Sequence, residues 1–211
     1  MVIILFLTAC ETGFTEVKIT SDSMDLVGRG NITEFYGNVK LKGENFVINS
    51  EKAVSDKSKG VIKASGDVDL KYTSSTWRIT GSCRQIFVET ETKEITMEKD
   101  VNTEYISYDT GENPVYVSCD KVLIKSAGKK RAEFKGNVNA KRSNIEIESG
   151  QGVYYQDEKR IEFTDKPFAR GIFDSSETIY NGEIIQIDLN KNRVEIKNNV
   201  HARVYLSDTE M

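Results

Sequence analysis

Apolar and polar residues alternate with a period of two along almost the whole chain. The clearest runs place apolar or small residues at every second position and mostly Lys, Asp, Glu or Asn between them, as in 62–70, 132–140 and 194–204. This period is typical of a β-strand with one buried and one wet face. No stretch shows the 3.6-residue period of an amphipathic helix, so the pattern predicts an all-β protein.

The predicted strands form a repeat. A small or polar residue, a polar residue and then an apolar residue recur at 29- to 37-residue intervals, at positions ending in Val39, Val68, Val101, Val138, Pro167 and Val200. About six two-strand units therefore run from Val17 to Leu206, joined by short polar turns that indicate hairpins.

The stretch "GNVKLKG" at 37–43 and its copies explain the repeat in structural terms. A glycine permits a bend or bulge where the strand passes from one sheet face to the next, and the following Val returns the chain to the apolar face. The third unit has Lys99 in place of this Gly, and the fifth has Pro167 in place of the Val. We expect both units to be distorted or to lie at a bend.

Two architectures fit this pattern. One is two facing sheets with their apolar faces between them, and the other is a β-solenoid around an apolar core. Both leave edge strands that can pair with another copy or a related protein.

The interior is open to two interpretations, a filled core and a long apolar trough. The trough is suggested by small residues that recur at one level, namely Ala64, Gly66, Gly136, Ala140 and Ala202. The apolar positions that we expect to point inward are Phe35, Val39, Leu41, Ile48, Ile62, Val68, Leu70, Ile79, Ile95, Val101, Val117, Phe134, Val138, Ile147, Phe163, Ile196 and Val200.

Composition and the N-terminus limit the class of protein. The chain has 211 residues, 38% of them hydrophobic, and a net charge of −4 with acids and bases mixed throughout. No basic stripe is present to bind a nucleic acid. Residues 1–9 of "MVIILFLTAC" are too short to span a bilayer and are interpreted as the end of a signal peptide. The usual basic region is missing, which predicts that the start is truncated. "LTAC" resembles a bacterial lipobox, which predicts a lipidated Cys10; an ordinary secretory signal is the alternative. Residues 10–16 would be a linker, 17–206 a single domain and 207–211 a tail.

The chemistry-bearing residues point away from catalysis and cofactors. Cys83 and Cys119 could form a disulfide in an oxidising compartment, but we expect two free, buried thiols. His201 is the single histidine and the chain has no Cys-x-x-Cys motif, so no zinc site is expected. His201 is predicted to face solvent, because it is out of phase with Val200 and Ala202. Trp77 is interpreted as a packing residue. No phosphate-binding loop is present.

The repeat resembles a known family. The segments "ITSDSMDL…FYGNVKL", "VINSEKAVSDKSKGVIKASGDVDL" and "VSCDKVLIKSAGKKRAEFKGNVNA" are similar to the OstA-like domain of periplasmic lipopolysaccharide-export proteins of the LptA and LptC types. The resemblance implies a folded-over antiparallel β-jellyroll whose inward apolar residues hold lipid A acyl chains. It also implies partners that join through edge strands, including other OstA-like proteins and an inner-membrane ABC transporter.

The same resemblance suggests a place for the lipid phosphates. Near an open seam they could meet a basic group formed by Lys129, Lys130, Arg131, Lys141 and Arg142, for which a solvated hairpin is the alternative. A lipidated Cys10 would anchor the domain in the periplasm, on the inner membrane, and the anchored form looks more like the LptC type. Two other functions remain open: a polysaccharide-binding or structural β-solenoid, and a sugar-cleaving enzyme with paired carboxylates such as Glu89 and Glu91.

Overall fold

A computed structural model of the chain describes residues 3–8, 16–28, 30–107, 114–128, 130–173, 176–191 and 193–205. Every regular element within these ranges is a strand, and none of them contains a helix that could cross a bilayer. The strands are β1 (Ile3–Thr8), β2 (Glu16–Ser21), β3 (Ser23–Val27), β4 (Ile32–Lys42), β5 (Phe46–Asp56), β6 (Val61–Thr73), β7 (Trp77–Glu89), β8 (Glu94–Ser107), β9 (Val115–Lys125), β10 (Arg131–Arg142), β11 (Ile145–Tyr155), β12 (Arg160–Thr164), β13 (Phe168–Phe173), β14 (Ser176–Asn181), β15 (Ile184–Asp188), β16 (Arg193–Lys197) and β17 (His201–Tyr205).

The strands form one antiparallel sheet that is folded over on itself. Each long strand changes register near its middle, as β4 and β5 do between Tyr36 and Val39, and its two halves pair separately with the neighbouring strand. One half of each strand belongs to layer 1 and the other to layer 2. Layer 1 contains β3, residues 32–36 of β4 with the corresponding halves of β5 to β11, and then β12, β15 and β16. Layer 2 contains β1, β2, residues 39–42 of β4 with the other halves of β5 to β11, and then β13, β14 and β17. The predicted folded-over β-jellyroll is therefore confirmed.

Six corners mark the fold line between the layers. The backbone has positive φ within the two residues before each of the six anchor positions, at Gly37–Asn38, Gly66, Lys99–Asp100, Gly136–Asn137, Asp165–Lys166 and Asn198–Asn199. The third unit thus keeps its corner although Lys99 replaces glycine. In the fifth unit the corner interrupts the strand, which ends as β12 and resumes as β13.

Side chains on the opposing strand hold the corners closed. Asn38 Nδ2 donates a hydrogen bond to Asp22 Oδ2 at 2.8 Å, and Asn137 Nδ2 makes the same bond to Asp120 Oδ2 at 3.0 Å. Arg84 Nη1 donates to Asp67 Oδ1 at 2.8 Å in the second corner. These groups are exposed, so they contribute mainly to the geometry of the bend and little to stability.

The two cysteines occupy a position that is serine in other units. Ser50, Cys83 and Cys119 lie opposite Val39, Val68 and Val101, and each side chain donates to the carbonyl oxygen two residues ahead. Both thiols are free and buried, as predicted, and burial raises the pKa of each to about 11. Strand β8 separates their strands, which places them about 9–10 Å apart, beyond disulfide reach.

Replacing Gly66 with alanine tests the corner geometry. Gly66 has φ of +104°, and a Cβ there would lie 2.9 Å from Glu51 Cβ, an atom that cannot swing away. We expect Gly66→Ala to lower the free energy of unfolding by about 1–3 kcal/mol. Gly128→Ala is the matched control, because Gly128 also has positive φ but would meet nothing within 4 Å. Thermal denaturation of both variants measures the difference, and equal losses would show that the corner is not sterically restricted.

The core between the layers is mostly filled. Phe35, Ile48, Ile62 and Phe163 each retain 2% exposure or less, as do most of the predicted inward residues. Trp77 packs in this core, as predicted, and His201 is exposed, as predicted. The prediction that Val200 points inward is wrong, because this residue is 50% exposed. It lies in the turn before β17, where no further strand of the described residues covers it.

Candidate functional site

The seam is the margin of the folded sheet opposite the corners, where the hairpins of the two layers meet. Layer 1 hairpins hydrogen-bond to each other, as Thr90 N does to Gly60 O, and layer 2 hairpins do likewise, as Thr73 N does to Asn45 O. Within the described residues no backbone hydrogen bond joins the hairpins of one layer to those of the other. Side chains alone therefore close the seam there.

Four aromatic rings close the middle of the seam. Trp77 stacks on Tyr72 with ring centres 5.0 Å apart and contacts Tyr105 at 5.5 Å, all three in layer 2. Tyr154 of layer 1 meets Trp77 edge-on at 5.7 Å and Tyr105 at 4.3 Å. The Tyr72 hydroxyl also donates to Ser126 Oγ across the seam at 3.1 Å. We call this group the aromatic plug, and it leaves the interior filled at this point.

An apolar opening lies between the layers at the C-terminal end. It has a volume of about 320 Å³ and is lined by Ile145, Ala169, Gly171, Tyr180, Val194 and Ile196. We call it the end cavity. It is roughly twice the size of an engineered apolar cavity that admits a benzene ring. It can therefore take part of one acyl chain, and not the several chains of a lipid A molecule at once.

Small inward residues on β13 create the end cavity. Ala169 and Gly171 take two successive inward positions, between Ile145 on β11 and Tyr180 on β14. The layer 1 strand facing them supplies only Val194 and Ile196, which are partly buried. Sequence reasoning placed Ile196 inward but did not identify the other five residues. The pattern that could have indicated them is the pair of small residues Ala169 and Gly171, two positions apart on a short strand.

The small residues named from the sequence do not form an opening. Ala64 and Ala140 have at most 1% exposure, and Gly66 and Gly136 lie at corners. Ala202 is exposed on the edge strand β17. The described residues therefore enclose an apolar opening at one end of the molecule, and the interior from Phe35 to Phe163 is packed with side chains.

The five basic residues predicted near the seam differ in their surroundings. Arg131 Nε pairs with Glu133 at 2.8 Å and Lys141 Nζ pairs with Glu146 at 2.9 Å. Lys130 is exposed, and Lys129 lies outside the described residues, as does Cys10. Arg142 alone is buried, with 7% exposure, and its pKa is lowered by burial.

A second concave surface lies on the outer face of layer 2. It has a volume of about 660 Å³ and crosses six strands, from β5 to β10. Its floor is a cross-strand row of short polar side chains, Asn49, Asp69, Ser82, Asn102, Ser118 and Asn139. Tyr116 stands beside this row with 51% exposure. We call this surface the outer groove.

Neither a metal-binding cluster nor the carboxylate pair considered from the sequence is found among the described residues. No group of three or more His, Cys, Asp or Glu side chains in those ranges could hold a metal ion. Glu89 ends β7 and accepts a hydrogen bond from Thr92 Oγ1 at 3.0 Å, while Glu91 lies in the turn that follows β7. These two carboxylates do not form a pair on one strand face.

The fold and the site together define an open, folded-over antiparallel β-jellyroll with an apolar cavity at one end. Comparison with known proteins adds little to this description. No protein-family model matches the chain, and no curated protein matches it. Among solved structures, the chain is similar to "LptH, the LptA homologous periplasmic component of the conserved lipopolysaccharide transport device from Pseudomonas aeruginosa". The match covers 90% of this chain and 94% of that one, with 9% identity and a TM-score of 0.26.

Proposed function

We propose that this chain carries lipopolysaccharide across the periplasm, as one link of a protein bridge to the outer membrane. The observation that carries the proposal is the end cavity, an apolar opening between the two layers that is large enough for part of an acyl chain. Each methylene taken from water contributes about 0.8 kcal/mol, so an acyl chain needs such shelter to cross an aqueous space. The OstA-like pattern of the repeats supports the same function.

The bridge would form through the ends of the sheet. Edge strands β3 and β16 end layer 1, and large exposed apolar side chains gather at these ends: Leu26 is 65% exposed and Val27 46% exposed on β3, and Val200 is 50% exposed near β17. Unpaired strand edges with exposed apolar side chains favour β-augmentation by another chain. The proposed partners are other OstA-like proteins and an inner-membrane ABC transporter. No catalytic step or cofactor enters this proposal.

The proposed location is the periplasm, with the chain held at the inner membrane by a lipidated Cys10. This residue and residues 9–15 around it lie outside the described part, while Ile3–Thr8 pairs with β2 as strand β1. Loss of residues 1–9 on processing would leave β2 as the edge of layer 2. The domain boundaries and the choice between an LptC-type and an LptA-type role belong to this proposal.

Site-specific photo-crosslinking tests the lipid proposal. A photo-reactive residue at Ile196 places the probe in the end cavity, and one at Lys40 places it on the outer face of layer 2 as a control. Exposure of cells to light should capture lipopolysaccharide at position 196 and much less at position 40. Equal capture at the two positions, or none at position 196, would contradict the proposal.

The outer groove supports a second candidate function, polysaccharide binding. Short amides and hydroxyls beside an exposed aromatic ring are groups that can hydrogen-bond to sugar hydroxyls and pack on a sugar face. Tyr116→Ala should then weaken binding of the chain to lipopolysaccharide O-chains or capsular polymer without lowering its melting temperature. Sugar binding that depends on Tyr116, together with no capture at position 196, would favour this function over lipid carriage.

A further inference from the structure

Arg142 is a buried cation without a counter-charge among the described residues. It ends β10, where it follows Val138 and Ala140 as the third inward-facing residue, and it is 7% exposed. Its Nε has no hydrogen-bond acceptor, and no carboxylate within the described ranges forms an ion pair with it. A guanidinium stays protonated in proteins, so burial of most of this side chain shields its charge from water at a cost to stability.

Arg142 is paired with a residue that lines the end cavity. In the tight hairpin between β10 and β11 it faces Ile145, which lines the cavity, and residues paired in this way have Cβ atoms about 4.5–5.5 Å apart on the same face. The hairpin turn, residues 143–144, lies at the seam. The Arg142 side chain therefore lies next to that of Ile145, at the side of the cavity that Ile145 lines.

We propose that Arg142 binds the anionic head group of an amphiphile whose acyl chain occupies the end cavity. The inference rests on the proposed lipid-carrying function and adds the head-group chemistry to it. A guanidinium presents a planar fork of N–H donors that matches the oxygens of a phosphate or a carboxylate. An anion at this place would supply the counter-charge that none of the described residues provides, while the neighbouring apolar side chains would take up the tail. A phosphorylated glycolipid and a fatty acid share this chemistry.

Binding of matched lipids to the full chain tests the proposal. The probes are lipid A with its phosphates, dephosphorylated lipid A, myristate and myristyl alcohol, and the proteins are the wild type, Arg142→Met and Arg84→Met. Met keeps the length of the side chain and removes the charge. Arg84→Met removes the same charge from an exposed corner and is the control. Arg142→Met should bind the phosphorylated lipid or myristate about 10- to 100-fold more weakly, with binding of the uncharged probes unchanged.

Thermal denaturation without lipid provides a second readout. Because Arg142→Met removes a buried charge that no described carboxylate pairs with, we expect it to raise the melting temperature by about 2–4 °C, whereas Arg142→Lys should not. If only the binding of lipid A is weakened by Arg142→Met, the head group is a phosphate. If only the binding of myristate is weakened, the head group is a carboxylate. Equal binding of charged probes to the wild type and Arg142→Met would overturn this inference and leave lipid carriage standing. Failure of the wild type to bind any acyl probe would overturn both.

Discussion

Replacing Trp77 with alanine is expected to lower the free energy of unfolding by about 3–5 kcal/mol. Trp77 is 2% exposed and touches three tyrosine rings from both layers, so its loss would leave a cavity that the plug cannot collapse to fill. For a chain of this length, each kcal/mol corresponds to about 2–4 °C in melting temperature. Calorimetric unfolding of the purified variant measures the loss directly.

Tyr116→Ala provides the control for this prediction. It also removes an aromatic ring from layer 2, but Tyr116 is 51% exposed on the outer face, and its removal should change stability by no more than about 0.5 kcal/mol. If Trp77→Ala and Tyr116→Ala unfold at the same temperature, the four rings do not hold the layers together. Trp77→Phe should fall between the wild type and Trp77→Ala, because it restores part of the ring volume.

Filling the end cavity is expected to abolish lipid capture without unfolding the protein. Ala169 lines the cavity with 2% exposure, and a phenylalanine at this position would direct its ring into the space that we assign to an acyl chain. We expect Ala169→Phe to reduce crosslinking of lipopolysaccharide at position 196 by at least about tenfold, since the apolar contacts of several methylenes are lost. Its melting temperature should stay equal to that of the wild type or rise.

Ala64→Phe is the matched control for cavity filling. Ala64 is fully buried between Ala53 and Ile86 in a packed part of the sheet, where overpacking costs about 1–3 kcal/mol or more. The same substitution should therefore destabilise the chain at position 64 and not at position 169. Equal destabilisation at the two positions would show that the end cavity is not available space. Undiminished capture by a stable Ala169→Phe chain would place the lipid elsewhere.

The strands and corners were predictable because they depend on local sequence. Period-two alternation fixes which side chains face inward, and it placed Phe35, Val68 and Phe134 correctly in the core. The corners recur because each unit must pass from one layer to the other at the same level. Lys99 and Asp100 show that the register shift, and not a glycine, defines a corner, since both adopt positive φ there.

The location of the cavity was not predictable from one strand at a time. Whether a small inward residue leaves space depends on the side chains of the facing layer, which are distant in sequence. Ala64 is enclosed by its neighbours, whereas Ala169 and Gly171 face only Val194 and Ile196 near the end of layer 1. The exposure of Val200 has the same origin, because burial at an edge depends on a neighbouring strand that the described residues do not supply.

The aromatic plug gives the protein an internal optical probe. Trp77 is the single tryptophan of the chain and lies in a dry environment among tyrosines. Its fluorescence should be blue-shifted and shielded from quenchers dissolved in water. If the layers separate to admit a ligand larger than the end cavity, the indole will become hydrated and its emission will move to longer wavelength. A spectrometer could therefore follow the opening of the seam in real time, with no label attached.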